Sequence, residues 1–440
     1  MRIKSTYFII STLVLAAIYS LGLPQLILGG NYAIKNATIV TVTGPELENG
    51  TLVIEGNKIT AIGKNVEIPG DAVVIDAKGL FVYPGLIDAS TSLGLSEVGA
   101  VAATQDVYEL GTYNSHIKAI VAINPHSVHI PISRVNGITS AVVVPGGGII
   151  SGQCAFINLN GWTPEEMALK APVGISISFP RMPRESTFGR RRESSPQELS
   201  KAKKRAEKQL NDLKDVFKKA KRYAAKWEEF STSKKPPAPD KDLMLHALIP
   251  VIKKELPVVI SVRAEEDIKN AVEFVKELDL KAIFQGVDDG WKVASLLSKN
   301  NIPVLVGPVL RLPGPKDPYD ARYANAKVLS KAGVKIAFIT RSAPDVRNLP
   351  YHAGTAAAFG LPKEEALKAI TIYPAEIFGV ADKIGSLEQG KFANVIVTDG
   401  DPLEMLTQVK HLFIAGEKIP LESKHTKLYE KFRKRPAINK

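Results

Sequence analysis

A single cysteine, Cys154, in 440 residues excludes an intramolecular disulfide framework and a multi-cysteine metal site. No base stands beside it in sequence, so it reads as a small buried apolar residue rather than a nucleophile. Charge is absent altogether from residues 5–30, directly after the basic Met1-Arg2-Ile3-Lys4. That pattern is an export signal or an anchor, and two outcomes stay open: cleavage near Ser20 or Gly30, or retention, since the uncharged run is long enough to span a bilayer. The Ala-x-Ala of cleavable signals is missing, and the missing lipobox cysteine argues against a bacterial lipoprotein. Basic residues ahead of the run stay cytoplasmic, which places residues 31–440 outside the cytoplasm, periplasmic or extracellular.

A formal net charge of +12 raises the question of a polyanionic partner, yet aromatic interleaving and any recognised nucleic-acid motif are lacking. The charge is concentrated: residues 181–242 hold 19 Lys/Arg against 10 Asp/Glu. This stretch contains Arg190-Arg191-Arg192, a helical pattern over 200–227, and Lys234-Lys235-Pro236-Pro237. It reads as a solvated helical insertion with no nucleic-acid role, and membrane contact is expected only through the N-terminal segment.

What is present is a large apolar content, 45%, enough for one barrel of about 250–300 residues and a smaller domain. Residues 32–80 alternate apolar and polar positions in short runs broken by glycine, the signature of antiparallel strands. The stretch Phe81-Val82-Tyr83-Pro84-Gly85-Leu86-Ile87-Asp88-Ala89-Ser90-Thr91-Ser92 then reads as a buried parallel strand opening into a site. Alternation predicts Asp88, Ser90 and Ser92 on one face. Strand-like runs at 140–144, 173–178, 258–262, 281–284, 303–306 and 335–339 alternate with helical ones such as 268–278, which argues a parallel α/β fold. Pro145-Gly146-Gly147-Gly148 lacks the Lys-Ser/Thr of a phosphate loop and reads as a tight mouth loop.

Pro84-Gly85-Leu86-Ile87-Asp88 resembles the start of the catalytic barrel in the amidohydrolase superfamily, where x-His-x-His follows. Residues 50–59 and 74–80 are similar to the first half of that superfamily's composite β-domain, and 384–397 with 409–416 to its returning half. Residues 134–139 through 151–153 resemble imidazolonepropionase-like members in particular. The resemblance implies a TIM-like (β/α)8 barrel with a small composite β-sandwich domain. The expected division is a signal peptide or anchor at 1–30, the composite domain at 31–83 and 382–422, the barrel at 84–381 with a basic helical insertion at 181–242, and a basic tail at 423–440. It further implies hydrolysis of carbon–nitrogen bonds other than peptide bonds, with one or two divalent metals such as zinc.

At the implied metal-ligand positions this chain departs from the pattern. Ser90 and Ser92 replace the two histidines, Arg263 stands after the fifth strand, Gln285 after the sixth and Arg341 after the eighth, where an aspartate would bind metal. Permanently protonated guanidiniums offer no lone pair and repel a dication, so no catalytic metal is expected. Two readings of the mouth stand: a pocket for an anionic small molecule, or a plug in which Asp88 or Asp345 pairs with the arginines. Asp345 is a weak candidate base, and His352 is either a pocket residue or a capping and packing one. The chain is thus expected to be a non-catalytic binding or partner subunit, a homo-oligomer or the companion of an active paralogue. The alternative is an exported hydrolase of cyclic amides working through a non-standard site.

Overall fold

The computed structural model describes residues 30–183, 195–233, 237–314 and 317–435. Residues 1–29, Arg190-Arg191-Arg192 and Lys234-Lys235-Pro236, on which parts of the leader and insertion readings rest, lie outside the described residues. Among the described residues no helix is long and apolar enough to cross a membrane.

Five strands come first: β1 (Tyr32–Ile39), β2 (Leu47–Glu55), β3 (Lys58–Gly63), β4 (Val73–Asp76) and β5 (Phe81–Pro84). The barrel strands follow as β6 (Leu86–Thr91), β7 (Ile138–Val143), β8 (Ile150–Asn158), β9 (Ala168–Ser178), β10 (Val258–Val262), β11 (Ala282–Gly286), β12 (Val304–Val306) and β13 (Ile336–Phe338). Last are β14 (Val395–Thr398), β15 (Val409–Ile414) and β16 (Glu417–Lys418).

The N- and C-terminal strands form one domain, as the two half-patterns predict. Hydrogen bonds join all eight into a single sheet ordered β16-β15-β14-β5-β1-β2-β3, with β4 alongside β1, rather than into two separate sheets. The sheet curls over, with Ile59 N–H of β3 donating at 3.0 Å to Lys391 O in the segment ahead of β14, and packs around its own apolar core. Gly416 (φ +77°) turns the β15–β16 hairpin against Gly56 O, where a Cβ would collide with the backbone.

The barrel sheet runs β6 to β13 in chain order. Seven strands are parallel in direction, but β8 is reversed and pairs antiparallel with both β7 and β9. The alternation of strand and helix expected throughout therefore fails at this one unit. Only a glycine-rich turn separates β7 from β8, and a turn that short permits a hairpin but no crossover. Residues 151–153, which carry part of the imidazolonepropionase-like resemblance, belong to β8. Beyond the ladders, Arg341 N–H to Ser90 O (2.9 Å) draws the two ends of the sheet together. Alternate residues such as Ile87, Val142, Phe156, Val259, Ile283, Leu305 and Ala337 fill the interior as a packed core.

The basic insertion is a 38-residue helix, Pro196–Ser233, and it is not wholly solvated. Leu213, Val216, Phe217 and Ala220 form a buried stripe, and Phe217 meets Phe274 of helix Glu265–Leu278 edge-on at 5.7 Å. Residues 424–433 of the expected tail are a helix whose Ser423 cap and Thr426 bond each other's backbone reciprocally.

Candidate functional site

Ser90, Ser92, Arg263, Gln285 and Arg341 each lie at or just beyond the C-terminal end of a barrel strand, the end where such folds place their sites. Ser90 (3% exposed) donates from Oγ to Gln285 Oε1 at 2.7 Å, across the barrel from β6 to β11. Gln285 (2% exposed) in turn donates from Nε2 to Ser261 Oγ at 2.7 Å. Three neutral side chains thus close a hydrogen-bonded chain over the apolar interior. The amide oxygen, the best remaining lone-pair donor, is already occupied.

Asp88 does not share this face. The β6–β7 register slips between Asp88 and Thr91, and such a bulge breaks the alternation that would have aligned Asp88 with Ser90. Asp88 is fully buried and bonds to the segment after β13: its Oδ2 accepts from Thr340 Oγ1 (2.5 Å), its Oδ1 from Thr340 N–H (3.3 Å) and Ser90 N–H (3.1 Å). Burial outweighs these bonds and pushes its carboxyl up to about 7. Ser92 accepts a bond from Ala343 N–H (3.2 Å) and takes no part in the Ser90 chain.

Arg263 and Arg341 converge over Gly286. An ideal Cβ at that glycine (φ +91°) would lie 3.4 Å from Arg341 Nη1 and 3.6 Å from Arg263 Cγ, so both side chains pass over it at van der Waals distance. Arg341 itself adopts the left-handed conformation (φ 67°), uncommon for a residue with a Cβ and costly unless its surroundings impose it. Both guanidiniums lie below the ordinary arginine range, Arg263 through burial against the opposing pull of Asp288, and Arg341 through burial and then the charge of Arg263. The expected plug of Asp88 or Asp345 on the arginines is not formed. Asp88 is spent on Thr340, and Asp345 is exposed in a turn. The space that Arg263 and Arg341 line with Arg181, Phe179, Ser261 and Asp267 is about 20 Å³, room for about one water-sized group. Far larger hollows lie elsewhere, one of about 960 Å³ on the outer helical layer.

His352 is a buried capping residue. Its Nδ1 accepts from Val309 N–H (2.9 Å) and Leu310 N–H (3.4 Å) beyond β12, which puts its proton on Nε2. Burial pushes it down to about 4. His126 packs beside Trp162, His246 beside Trp227, and His425 against Arg347. Among the described residues no three His, Cys, Asp or Glu side chains converge on a point that could hold a metal ion.

The Gly146–Gly148 loop is covered rather than open. Gly146 N–H donates to Val107 O (2.8 Å), and Gly148 packs against the carbonyls of Gly111 and Thr112. Sequence reading passed over Ser261, Thr340 and Arg311. The first two sit within recognised strand ends and carried a visible polar signal, whereas Arg311 lies in a loop that nothing marked.

Comparison with known proteins agrees with this architecture. The Amidohydrolase family profile matches residues 320–419. A D-hydantoinase of Geobacillus stearothermophilus is 46% identical over 79 residues, 18% of this chain and 16% of that protein. The amidohydrolase tasK of Hapsidospora irregularis is 20% identical over 83% of this chain and 39% of its own length. The chain thus spans under half the length of these curated relatives. An amidohydrolase from Thermotoga maritima of known structure superimposes with a TM-score of 0.77 at 27% identity, covering 88% of this chain and 99% of that one. A prolidase solved with N-methylphosphonate-L-proline superimposes at 0.53 with 16% identity, over the same shares, and shares the fold.

Proposed function

This chain belongs to the amidohydrolase superfamily, and we propose that it keeps the superfamily's barrel as a non-catalytic binding or partner subunit without the metal. One observation carries the proposal: the Ser90–Gln285–Ser261 chain occupies the floor of the mouth, with Arg263 and Arg341 above it. The divalent ions typical of the superfamily do not fit these residues. Zinc requires several nitrogen, sulfur or carboxylate donors within about 2.0–2.3 Å, and here the candidates are neutral hydroxyls, an engaged amide and two cations. Asp88, the one carboxyl with a strongly raised pKa near the mouth, is sealed by Thr340 and is not among the residues lining the mouth space, so it is poorly placed to serve as a base. Export of residues 31–440 and pairing with a ligand-complete barrel form part of the same proposal.

The test combines metal analysis of the purified full chain with a panel of cyclic amides and dipeptides. The expected result is zinc well below one equivalent and no turnover, in the wild type and in Ser90→His alike, because one imidazole cannot replace a whole ligand set. Stoichiometric zinc, or turnover of a cyclic amide, would establish the hydrolase instead.

A further inference from the structure

Four strand ends each send one arginine to the mouth. Arg181 follows β9, Arg263 follows β10, Arg311 lies beyond β12 and Arg341 beyond β13. Arg263 and Arg341 are partly buried and Arg181 and Arg311 are exposed, so the charge grades from the floor to the rim. Among the described residues none of the four has a carboxylate oxygen within 4.0 Å, although surface lysines of this chain are commonly paired. Two carboxylates stand close by and both are engaged. Asp288 is held by Arg322 at 2.8 Å, and Asp267, on the wall of the cavity, accepts Met182 N–H at 2.9 Å.

Partly desolvated guanidiniums outnumber the carboxylates near them: Arg311 and Arg181 disfavour the charge on both Arg263 and Arg341, Arg263 adds to this at Arg341, and Asp288 offsets it only in part. A fold keeps such an arrangement at little cost only if something negative completes it. We infer that Arg181, Arg263, Arg311 and Arg341 form a receptor for one oxyanion, the terminal carboxylate or phosphoryl group of a ligand whose body stays outside the barrel. Planar guanidiniums match both groups through paired N–H donors. The cavity of about 20 Å³ holds about one oxygen of that terminus, so the rest of the group sits at the rim among the arginines and no whole substrate is enclosed. Both inner arginine side chains pass over Gly286, and Arg341 does so from a left-handed backbone. The inference rests on the metal-free reading, since a dication in the mouth would repel these same arginines.

Calorimetric titration of the full chain with inorganic phosphate, and separately with succinate, at ionic strength held constant by sodium chloride, tests it. One site is expected, with the two probes competing if both bind. Phosphate alone or succinate alone identifies the source of the oxyanion. Arg341→Gln or Arg263→Gln should weaken binding about tenfold or more. Should either inner variant fail to fold, the exposed Arg311→Gln and Arg181→Gln should still weaken binding severalfold and steepen no other transition. Absence of heat with both probes, or affinity unchanged in the arginine variants, overturns the receptor. Zinc assayed on the same sample separates the two readings: zinc-free protein blind to both probes sinks this inference alone, whereas zinc-loaded protein sinks the metal-free barrel.

Discussion

Two buried titratable side chains, Asp88 and His352, bias stability in opposite directions with pH. Asp88 titrates near 7 when folded, above its ordinary 3.8, so the folded state holds a proton that the unfolded chain has released. The stability it contributes is present below about pH 4 and is lost as pH rises through about 7. His352 titrates near 4, below its ordinary 6.5, so its contribution is present above about pH 6.5 and is lost as pH falls through about 4. Asn at position 88 mimics the protonated acid, donating to the Thr340 hydroxyl while its oxygen still accepts the two amides. Denaturant unfolding at pH 5 and pH 8 should therefore show Asp88→Asn gaining on the wild type by on the order of 2–3 kcal/mol between the two. A difference independent of pH would mean that Asp88 stays ionised throughout.

Among the elements, the reversed strand β8 and the long helix show where local pattern and tertiary context part company. Ile150 to Asn158 is buried at every position, so its own pattern does not reveal direction. Direction comes from the connection: Pro145 to Ile149 is too short to return the chain to the barrel's other end. The helix Pro196–Ser233 carries charge all along its outer face, which masks an apolar stripe whose largest member is Phe217. Phe217 bridges the insertion to Phe274, and Phe274 also meets Phe179 at 5.7 Å, two residues before Arg181 at the mouth. Phe217→Ala should cost about 3–5 kcal/mol in hydrogen-exchange protection across this helix, while Lys204→Ala on the exposed face leaves protection unchanged within about 0.5 kcal/mol. Equal effects of the two variants would mean that the helix is held by its charges, not by its stripe.

On the scale of the whole molecule, the two ends of the chain complete one sheet. β14 supplies the antiparallel partner of β5, pairing Val82 with Val397 and Tyr83 with Ile396. Truncation after residue 381 removes β14, β15 and β16 and uncovers the core around Ile34, Ile39, Leu52 and Val82. The truncated chain should lose its near-ultraviolet circular dichroism and its cooperative melting transition; a sharp transition would show that the barrel stands without this domain.

Fold class was legible in the residues because it depends on short-range regularities: alternation in 32–80, apolar runs parted by helical segments, and two half-patterns that need each other. The donor and charge types of Ser90, Gln285, Arg263 and Arg341 were legible too, since side-chain chemistry is fixed by residue type alone. Only the tertiary structure decided what each of them bonds to. Ser90 and Gln285 are 195 positions apart and meet across the barrel, and a one-residue slip in β6 turns Asp88 away from them toward Thr340. Residue type sets what a side chain can donate, accept or repel. Its partner is set by which strands the closed barrel brings face to face.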